Sequence, residues 1–453
     1  MRVGFSLLAG LCLFASLHGD IYGEDRFTQF RGVGGMAASA AQPKLPAKWS
    51  AADGSGIRWK KQLPGSGWSQ PVLWGNKLFV TSAVSEKELK PKNFANGVRT
   101  PQSMGMGFLS KAPDVKIDWT LFCLDATTGE TIWKQIVYTG KPEFAIHPSN
   151  SYATETPIVS EKAVVAYFGA TGEIAAFGHD GSPIWNRNFG AHKTNNSFGT
   201  GSSLATLGDL VFLQDFSEST ADLYALRIAS GETAWKKTRP KNGTSWASPV
   251  IWENKLRSEV VISGGEQIDS YDPQTGNELW TLRNVKAATA CSLGFDAERI
   301  YFGGSDPFSK GPLFAVNAGG QGDISPEKKN SEFSQCAWLS KKSAPGMSSP
   351  ASTGNAVLVI DKNILRAYRT NDGERIHQAR VPGLDMINAS PILFGSNVLL
   401  VDESGKAAII DTEDGFKVVS SGDLEDTVWA TPAIGSQGLY IRGVNALYCI
   451  SSM

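Results

Sequence analysis

The chain has 453 residues, and its 43 lysine and arginine residues nearly balance its 44 aspartate and glutamate residues, giving a formal net charge of -1. This balance lacks the positive excess of a general nucleic-acid-binding protein, so no nucleic-acid partner is expected. Charged residues make up only 19%, whereas the chain contains 48 glycines and 13 tryptophans. That profile excludes a disordered chain or a coiled coil and favours a turn-rich β protein.

The first segment has the features of a secretory signal peptide. Arg2 precedes an apolar run from Phe5 to Leu17, and small residues follow at Gly19 and Gly23. The run is too short to cross a bilayer as a helix of the mature protein, and no later segment is apolar enough to do so. We therefore expect a signal peptide over residues 1–23 and a mature protein that is exported to the periplasm or secreted.

A repeated unit organises the rest of the chain. A small residue followed by proline recurs ahead of β-like apolar runs, at Pro71, Pro157, Pro249, Pro350, Pro391 and Pro432, with degenerate copies over 201–204 and 290–293. A second signal places glycine four residues before a bulky residue, in the pairs Gly129 and Trp133, Gly181 and Trp185, Gly231 and Trp235, Gly276 and Trp280, Gly373 and His377, and Gly415 and Val419. A period of about 40 to 45 residues with four short strands is typical of a β-propeller blade, WD40-like blades included.

The two ends of the repeat region complement each other. The last unit stops after the β-like run Ala446 to Ile450, one strand short of a blade, and the run Ile57 to Lys61 can supply the missing strand. Pairing these runs would remove an open sheet edge. We predict an all-β, eight-bladed β-propeller of four-stranded antiparallel blades over residues 57–453, closed by its N- and C-terminal strands and preceded by an N-terminal extension over residues 24–56.

Four cysteines remain after the signal peptide. Cys123, Cys291, Cys336 and Cys449 lie far apart, without a Cys-x-x-Cys pair, and each falls in an apolar stretch. Export permits disulfides, and four cysteines allow three connectivities. The apolar settings favour buried free thiols.

Two sequence features resemble a known family. The opening Phe27-Thr28-Gln29-Phe30-Arg31-Gly32 and the turns of the type Asp125 to Trp133, Asp-x-x-Thr-Gly-x-x-x-Trp, are similar to those of bacterial exported proteins with pyrroloquinoline quinone (PQQ)-like β-propeller repeats. This group includes the outer-membrane β-barrel assembly factor BamB and, more distantly, quinoprotein alcohol dehydrogenases. The resemblance covers essentially the whole mature chain and implies the fold more strongly than an activity.

Strand phase indicates a ring of residues at the mouth of the propeller channel. The ring stands three residues before the repeated proline position and consists of Trp68, Thr154, Trp246, Met347, Asn388 and Trp429. Polar and aromatic neighbours in the preceding loops are His147, Asn150, Tyr152, Glu155 and His192. Aromatic walls with a few convergent polar groups are typical of a ligand site. The alternative is that the tryptophans fill the channel and the polar groups cap turns.

The resemblance to quinoproteins implies a specific set of residues. Those dehydrogenases hold the anionic PQQ ring between an aromatic side chain and a disulfide of adjacent cysteines, with Ca²⁺ on carboxylate and amide oxygens and an aspartate as base. Glu155 with Asn150 or Asn388 could supply oxygen ligands, but the chain has no adjacent cysteines and no aspartate at a matching spacing. Hydrolase and P-loop motifs are also absent from the sequence. His147 and His192 could bind a metal or a polar ligand only if both reach the mouth.

We therefore predict an exported, non-catalytic binding or scaffold module for a protein or polymer partner. It is expected to be a monomer, without a catalytic residue, a resident metal or a cofactor. The alternative is an oxidoreductase that depends on PQQ and calcium or on another cofactor. A third possibility is a polysaccharide-binding or lyase propeller, because tryptophan rims stack on sugar rings.

Overall fold

The computed structural model describes residues 25–92, 100–102, 104–240, 243–287, 290–305 and 310–452. Its strands form eight sheets, and neighbouring sheets contact each other around a central channel. The predicted signal peptide lies outside the described residues. Within the described ranges the helices are three short 3-10 turns, Val33–Gly35, Gly107–Leu109 and Asn195–Ser197, and none has the length or hydropathy of a membrane span.

Seven blades follow one another along the chain, and each contains four antiparallel strands from one continuous stretch. Blade 1 contains Val72–Trp74, Lys77–Ser85, Ile117–Asp125 and Thr131–Gly140, and blade 2 contains Ile158–Val159, Val164–Phe168, Glu173–Phe177 and Pro183–Asn188. Blade 3 contains Ala205–Leu207, Leu210–Phe216, Ala221–Arg227 and Thr233–Thr238, and blade 4 contains Val250–Glu253, Ser258–Gly264, Gln267–Tyr271 and Glu278–Leu282. Blade 5 contains Gly294–Phe295, Arg299–Phe302, Leu313–Asn317 and Cys336–Ser340, and blade 6 contains Ala351–Ser352, Ala356–Asp361, Ile364–Arg369 and Arg375–Arg380. Blade 7 contains Ile392–Phe394, Asn397–Val401, Lys406–Asp411 and Lys417–Asp423.

The remaining sheet, here called the closing sheet, is a composite of both ends of the repeat region. It contains Ala433–Gly435, Gly438–Arg442 and Leu447–Ile450 from the C-terminal end. Ile57–Lys61 adds to the last of these as an antiparallel strand, with Trp59 opposite Cys449.

The prediction of eight blades of four antiparallel strands is wrong, although the predicted pairing of Ile57–Lys61 with the last C-terminal strand is present. Seven blades are continuous units, whereas the closing sheet is assembled from separated segments. Three sheets also exceed four strands, because Arg26–Phe27 joins blade 1, Gly322–Asp323 joins blade 4, and Ala38–Ser39 and Lys48–Ser50 join blade 7. Three of these four added pairings are parallel, so the sheets are not purely antiparallel.

The residue before each repeated proline position links neighbouring sheets. Its backbone N–H donates to the side-chain hydroxyl of the equivalent residue in the next sheet, at 2.9 to 3.1 Å, in a series of seven hydrogen bonds. The series begins at Gln70, and the acceptors, here called the hydroxyl ring, are Thr156, Ser203, Ser248, Ser292, Ser349, Ser390 and Thr431. Gln70 lacks a hydroxyl, and its side-chain amide instead donates to the carbonyl of Pro432.

The glycine-to-tryptophan signal builds a second contact between blades, farther from the axis. Trp235 of blade 3 donates its indole N–H to the carbonyl of Pro273 in blade 4, at 2.9 Å. A Cβ atom added to Gly276 would lie 2.7 Å from the Trp235 ring, so only glycine lets the ring pack on this turn. Trp133 and Trp185 make the same pair of contacts with the next blade.

Residues 28–39 of the N-terminal extension close one end of the channel. Both terminal nitrogens of the buried Arg31 side chain donate to backbone carbonyls, those of Leu293 in blade 5 and Pro350 in blade 6. The Arg31 backbone N–H donates to Gln70 in blade 1 at 2.6 Å. Further hydrogen bonds tie this segment, here called the plug, to blades 2, 3 and 7 and to the closing sheet.

All four described cysteines are free thiols. Cys123, Cys291 and Cys449 are buried, and Cys336 is partly exposed. Burial raises the pKa of the three buried thiols to about 12. The preference for free thiols over disulfides is therefore confirmed.

Replacing Trp235 with alanine is expected to lower the free energy of unfolding by about 3 kcal/mol, because it removes an aromatic ring packed between blades. Val419→Ala is the control, since Val419 lies on the outer strand of blade 7 and is 51% exposed, so it does not pack between blades. That control should change stability by at most about 0.5 kcal/mol. Urea denaturation followed by far-UV circular dichroism measures both; equal effects of the two changes would contradict the packing role of Trp235.

Candidate functional site

A cavity of about 470 Å³, here called the mouth, lies at the channel end opposite the plug. All six residues of the ring inferred from strand phase line it: Trp68, Thr154, Trp246, Met347, Asn388 and Trp429. Below them, the seven residues of the hydroxyl ring form the floor together with Phe30 of the plug. The mouth is therefore a blind pocket rather than an open pore.

Tryptophans from opposite sides of the ring form the walls. Trp68 of blade 1 and Trp429 of the closing sheet stack with ring centroids 6.4 Å apart and an interplanar angle of 21°. Trp246 precedes blade 4, on the far side of the channel, and meets Phe198 edge to face at 5.9 Å. The indole N–H groups of Trp68 and Trp246 donate to the carbonyls of Ser149 and Gly199, at 2.8 and 2.6 Å. These bonds hold both rings in fixed orientations.

His147 lines the mouth, but both of its ring nitrogens are engaged. Nδ1 accepts the backbone N–H of Ser149 at 3.1 Å, so the proton of the neutral ring resides on Nε2, which lies 3.0 Å from the Thr100 hydroxyl. Burial lowers the pKa of His147. The imidazole also stacks on Phe198 at 5.4 Å. His147 is therefore a neutral part of the wall.

Asn150 and Asn388 also line the mouth and are held by other residues. The Asn150 amide donates to the carbonyls of Phe198 and Thr200, at 2.8 and 3.1 Å, while its oxygen accepts from Ser151 and Thr154. The Asn388 amide donates to Glu403. Asn150 thus fixes the loop that carries the aromatic wall.

Three predicted site residues do not line the mouth. Tyr152 is 5% exposed, and its hydroxyl donates to the carbonyl of Phe144. Glu155 and His192 border a separate cavity of about 20 Å³ between blades 2 and 3. Thr154 and Thr156 line the mouth, whereas the Glu155 side chain between them borders the small cavity instead.

The small cavity is lined mostly by residues with polar side chains. Nε2 of His192 lies 3.2 Å from the Asp215 carboxylate, and this hydrogen bond raises the pKa of His192. Burial raises the pKa of Glu155 to about 7, and a hydrogen bond with the Thr200 side chain opposes this shift only in part. The two histidines therefore occupy different cavities, and the described residues contain no cluster of three or more metal-ligating side chains of the His, Cys, Asp or Glu type.

Sequence reasoning did not identify two aromatic residues of the mouth. Phe30 reaches the floor from the plug, and Phe198 reaches the wall from the loop after Asn195–Ser197. Neither residue stands three residues before a repeated proline position, so the repeat pattern could not indicate it. The family-like opening at Phe27 to Gly32 contains Phe30, whereas no motif identified in the sequence includes Phe198.

The charge of the mouth does not suit PQQ. None of the described lining residues is a lysine, arginine, aspartate or glutamate. Arg31 lies beneath the floor, but both of its terminal nitrogens are already bonded to carbonyls. PQQ is an anionic quinone, and burying its carboxylates without a cation would carry a large desolvation cost. The residues present therefore do not form a fitting PQQ site.

Comparisons with known proteins agree on the family and the fold. The family described as outer membrane protein assembly factor BamB matches residues 115–281, 170–322 and 264–452, well over half of the chain. No match was found among curated proteins. The chain belongs to this family, and the resemblance to PQQ-like propeller-repeat proteins is confirmed.

Solved structures show the same fold at low sequence identity. BamB from Moraxella catarrhalis has a TM-score of 0.56 and 14% identity, over 87% of this chain and 97% of that chain. A quinohemoprotein alcohol dehydrogenase from Pseudomonas putida has a TM-score of 0.60 and 10% identity, over 95% and 76%. The C-terminal WD40 domain of Sif2 has a TM-score of 0.50 and 11% identity, over 88% and 98%. At these identities the likeness concerns the fold alone.

The raised pKa of Glu155 predicts a pH-dependent stability. Between its ordinary value of 4.5 and about 7, the folded protein retains a proton on this carboxyl that the unfolded chain has released. Protonation therefore stabilises the fold fully below about pH 4.5, and this contribution is lost as the pH rises to about 7. We expect the Tm of the unmodified protein to fall more steeply between pH 5 and 7 than the Tm of Glu155→Gln. Equal slopes of Tm against pH for the two proteins would contradict the raised pKa of Glu155.

Proposed function

We propose that this member of the BamB family is an exported, non-catalytic binding module of the cell envelope, which holds part of a protein or polymer partner in its mouth. The observation that carries the proposal is the blind, uncharged, aromatic-walled mouth at the propeller axis. Concave sites with aromatic walls and a few oriented polar groups are typical of ligand-binding sites.

The state of the polar side chains favours binding over catalysis. His147 is the only titratable side chain among the described lining residues of the mouth, and its two nitrogens are occupied. Glu155, whose pKa lies near neutrality, borders the other cavity. The mouth therefore offers no free general acid or base beside its aromatic walls.

The family description suggests the kind of partner. It names an outer membrane protein assembly factor, so a protein of the outer-membrane assembly process is one candidate partner for this chain. Propellers of one fold carry unrelated functions, and this role therefore depends on the residues of the mouth. The oxidoreductase alternative is weakened because the lining residues do not fit PQQ.

Photocrosslinking tests the proposal directly. The photoreactive residue p-benzoylphenylalanine is placed at Met347, which lines the mouth and is 50% exposed, or at Ile184, which is 42% exposed on the outer strand of blade 2. After irradiation of the native host cells, we expect a discrete adduct with a protein or polymer at position 347 and none at position 184.

Two outcomes would contradict the proposal. Position 347 could yield no adduct, or both positions could yield the same products. Saturable, Ca²⁺-dependent binding of PQQ to the purified protein, lost in Trp246→Ala, would instead support the oxidoreductase alternative.

A further inference from the structure

The floor of the mouth is a ring of hydroxyl donors without protein acceptors. Each of the seven side-chain oxygens accepts one backbone N–H from the preceding sheet. Among the described residues, none accepts a hydrogen bond from these seven hydroxyl groups. The seven residues are 2 to 5% exposed, and all of them border the mouth. Each hydroxyl can therefore donate one hydrogen bond to a molecule bound there.

This floor excludes two kinds of occupant. An apolar side chain would bury the hydroxyl groups without partners, at about 1 to 3 kcal/mol for each donor left unsatisfied. A charged group would lose its hydration, and the described lining residues contain no opposite charge to compensate. The occupant must be neutral, carry oxygen acceptors on one side and tolerate aromatic walls.

The walls define the shape of the occupant. Trp68 and Trp429 stand on one side of the channel, and Trp246 stands on the other, with their orientations fixed by hydrogen bonds or stacking. A flat ring with C–H groups on its faces packs well against indole rings. The volume of about 470 Å³ lies within the range of small-molecule pockets, about 300 to 1,000 Å³.

We propose that the mouth binds one unit of a neutral saccharide chain, with its C–H faces between Trp246 and the Trp68–Trp429 pair and its oxygens toward the hydroxyl ring. This inference rests on the proposed function, because it names the chemical class that the binding module takes. A saccharide meets each requirement, since its ring edge carries hydroxyl and ether oxygens while its faces are largely apolar.

Calorimetric titration of the full mature protein tests the inference. The probes are neutral hexaoses: β-1,4- and α-1,4-linked glucose, and β-1,4-linked N-acetylglucosamine, mannose and xylose. At least one is expected to bind saturably, and Trp246→Ala should weaken that binding at least about tenfold. Trp235→Phe is the matched control, since Trp235 packs between blades 3 and 4 and should leave the affinity unchanged.

Substitution in the floor provides a second test. Ser390→Ala should weaken binding because it removes one donor, whereas Ser390→Thr retains the hydroxyl and should restore it, as threonine already occupies the equivalent positions 156 and 431. Circular dichroism shows whether each variant is folded. If Ser390→Ala does not fold, the titration of Trp246→Ala alone tests the inference.

The result that would overturn the inference is the absence of saturable binding by all five hexaoses, or binding that Trp246→Ala leaves unchanged. A protein adduct at position 347 together with no hexaose binding would reject the saccharide and retain the binding module. If neither an adduct at position 347 nor hexaose binding is observed, the proposed function is rejected as well.

Discussion

Seven hydrogen bonds from backbone N–H groups to side-chain hydroxyls join the chain segments that lead into the innermost strands of the propeller. Each bond requires a short hydroxyl side chain at one position of the next sheet, which every sheet except blade 1 supplies, and a proline can follow because the first residue of a strand need not donate to the ladder. The small residue and proline that recur in the sequence therefore reflect this ring of hydrogen bonds. Its hydroxyl groups also form the floor of the mouth, so one interaction sets both the architecture and the site.

The plug determines which end of the channel can bind a ligand. Arg31 is buried, burial lowers its pKa to about 10, and its bonds to Leu293 and Pro350 lie below the hydroxyl ring. Gly32 adopts a φ of 83°, and a Cβ atom there would lie 2.7 Å from the carbonyl oxygen of Ala38, so the turn after Arg31 depends on glycine. Because the plug closes one end, the rim of tryptophans is the entrance to the mouth among the described residues.

Local and periodic features were predictable from the sequence, whereas contacts made by the extension were not. The repeat identified Trp246 and the other five rim residues because each stands three residues before the repeated proline position. Glu155 directly follows the rim residue Thr154, but its side chain borders the small cavity instead. The strands Ala38–Ser39 and Lys48–Ser50 pair in parallel with strands of blade 7 that lie more than 300 residues later in the chain. No repeat pattern in the sequence predicts such pairing.

Amide hydrogen exchange at single-residue resolution most directly tests the central claim that the hydroxyl ring holds the sheets together and forms the floor of the site. The N–H groups of Ser203, Ser248 and Ser292 donate to this ring and should exchange only through global unfolding. In Ser248→Ala the N–H of Ser203 should lose that protection, while Ser248→Thr should retain it. Rapid exchange at these positions in the unmodified protein would contradict the account.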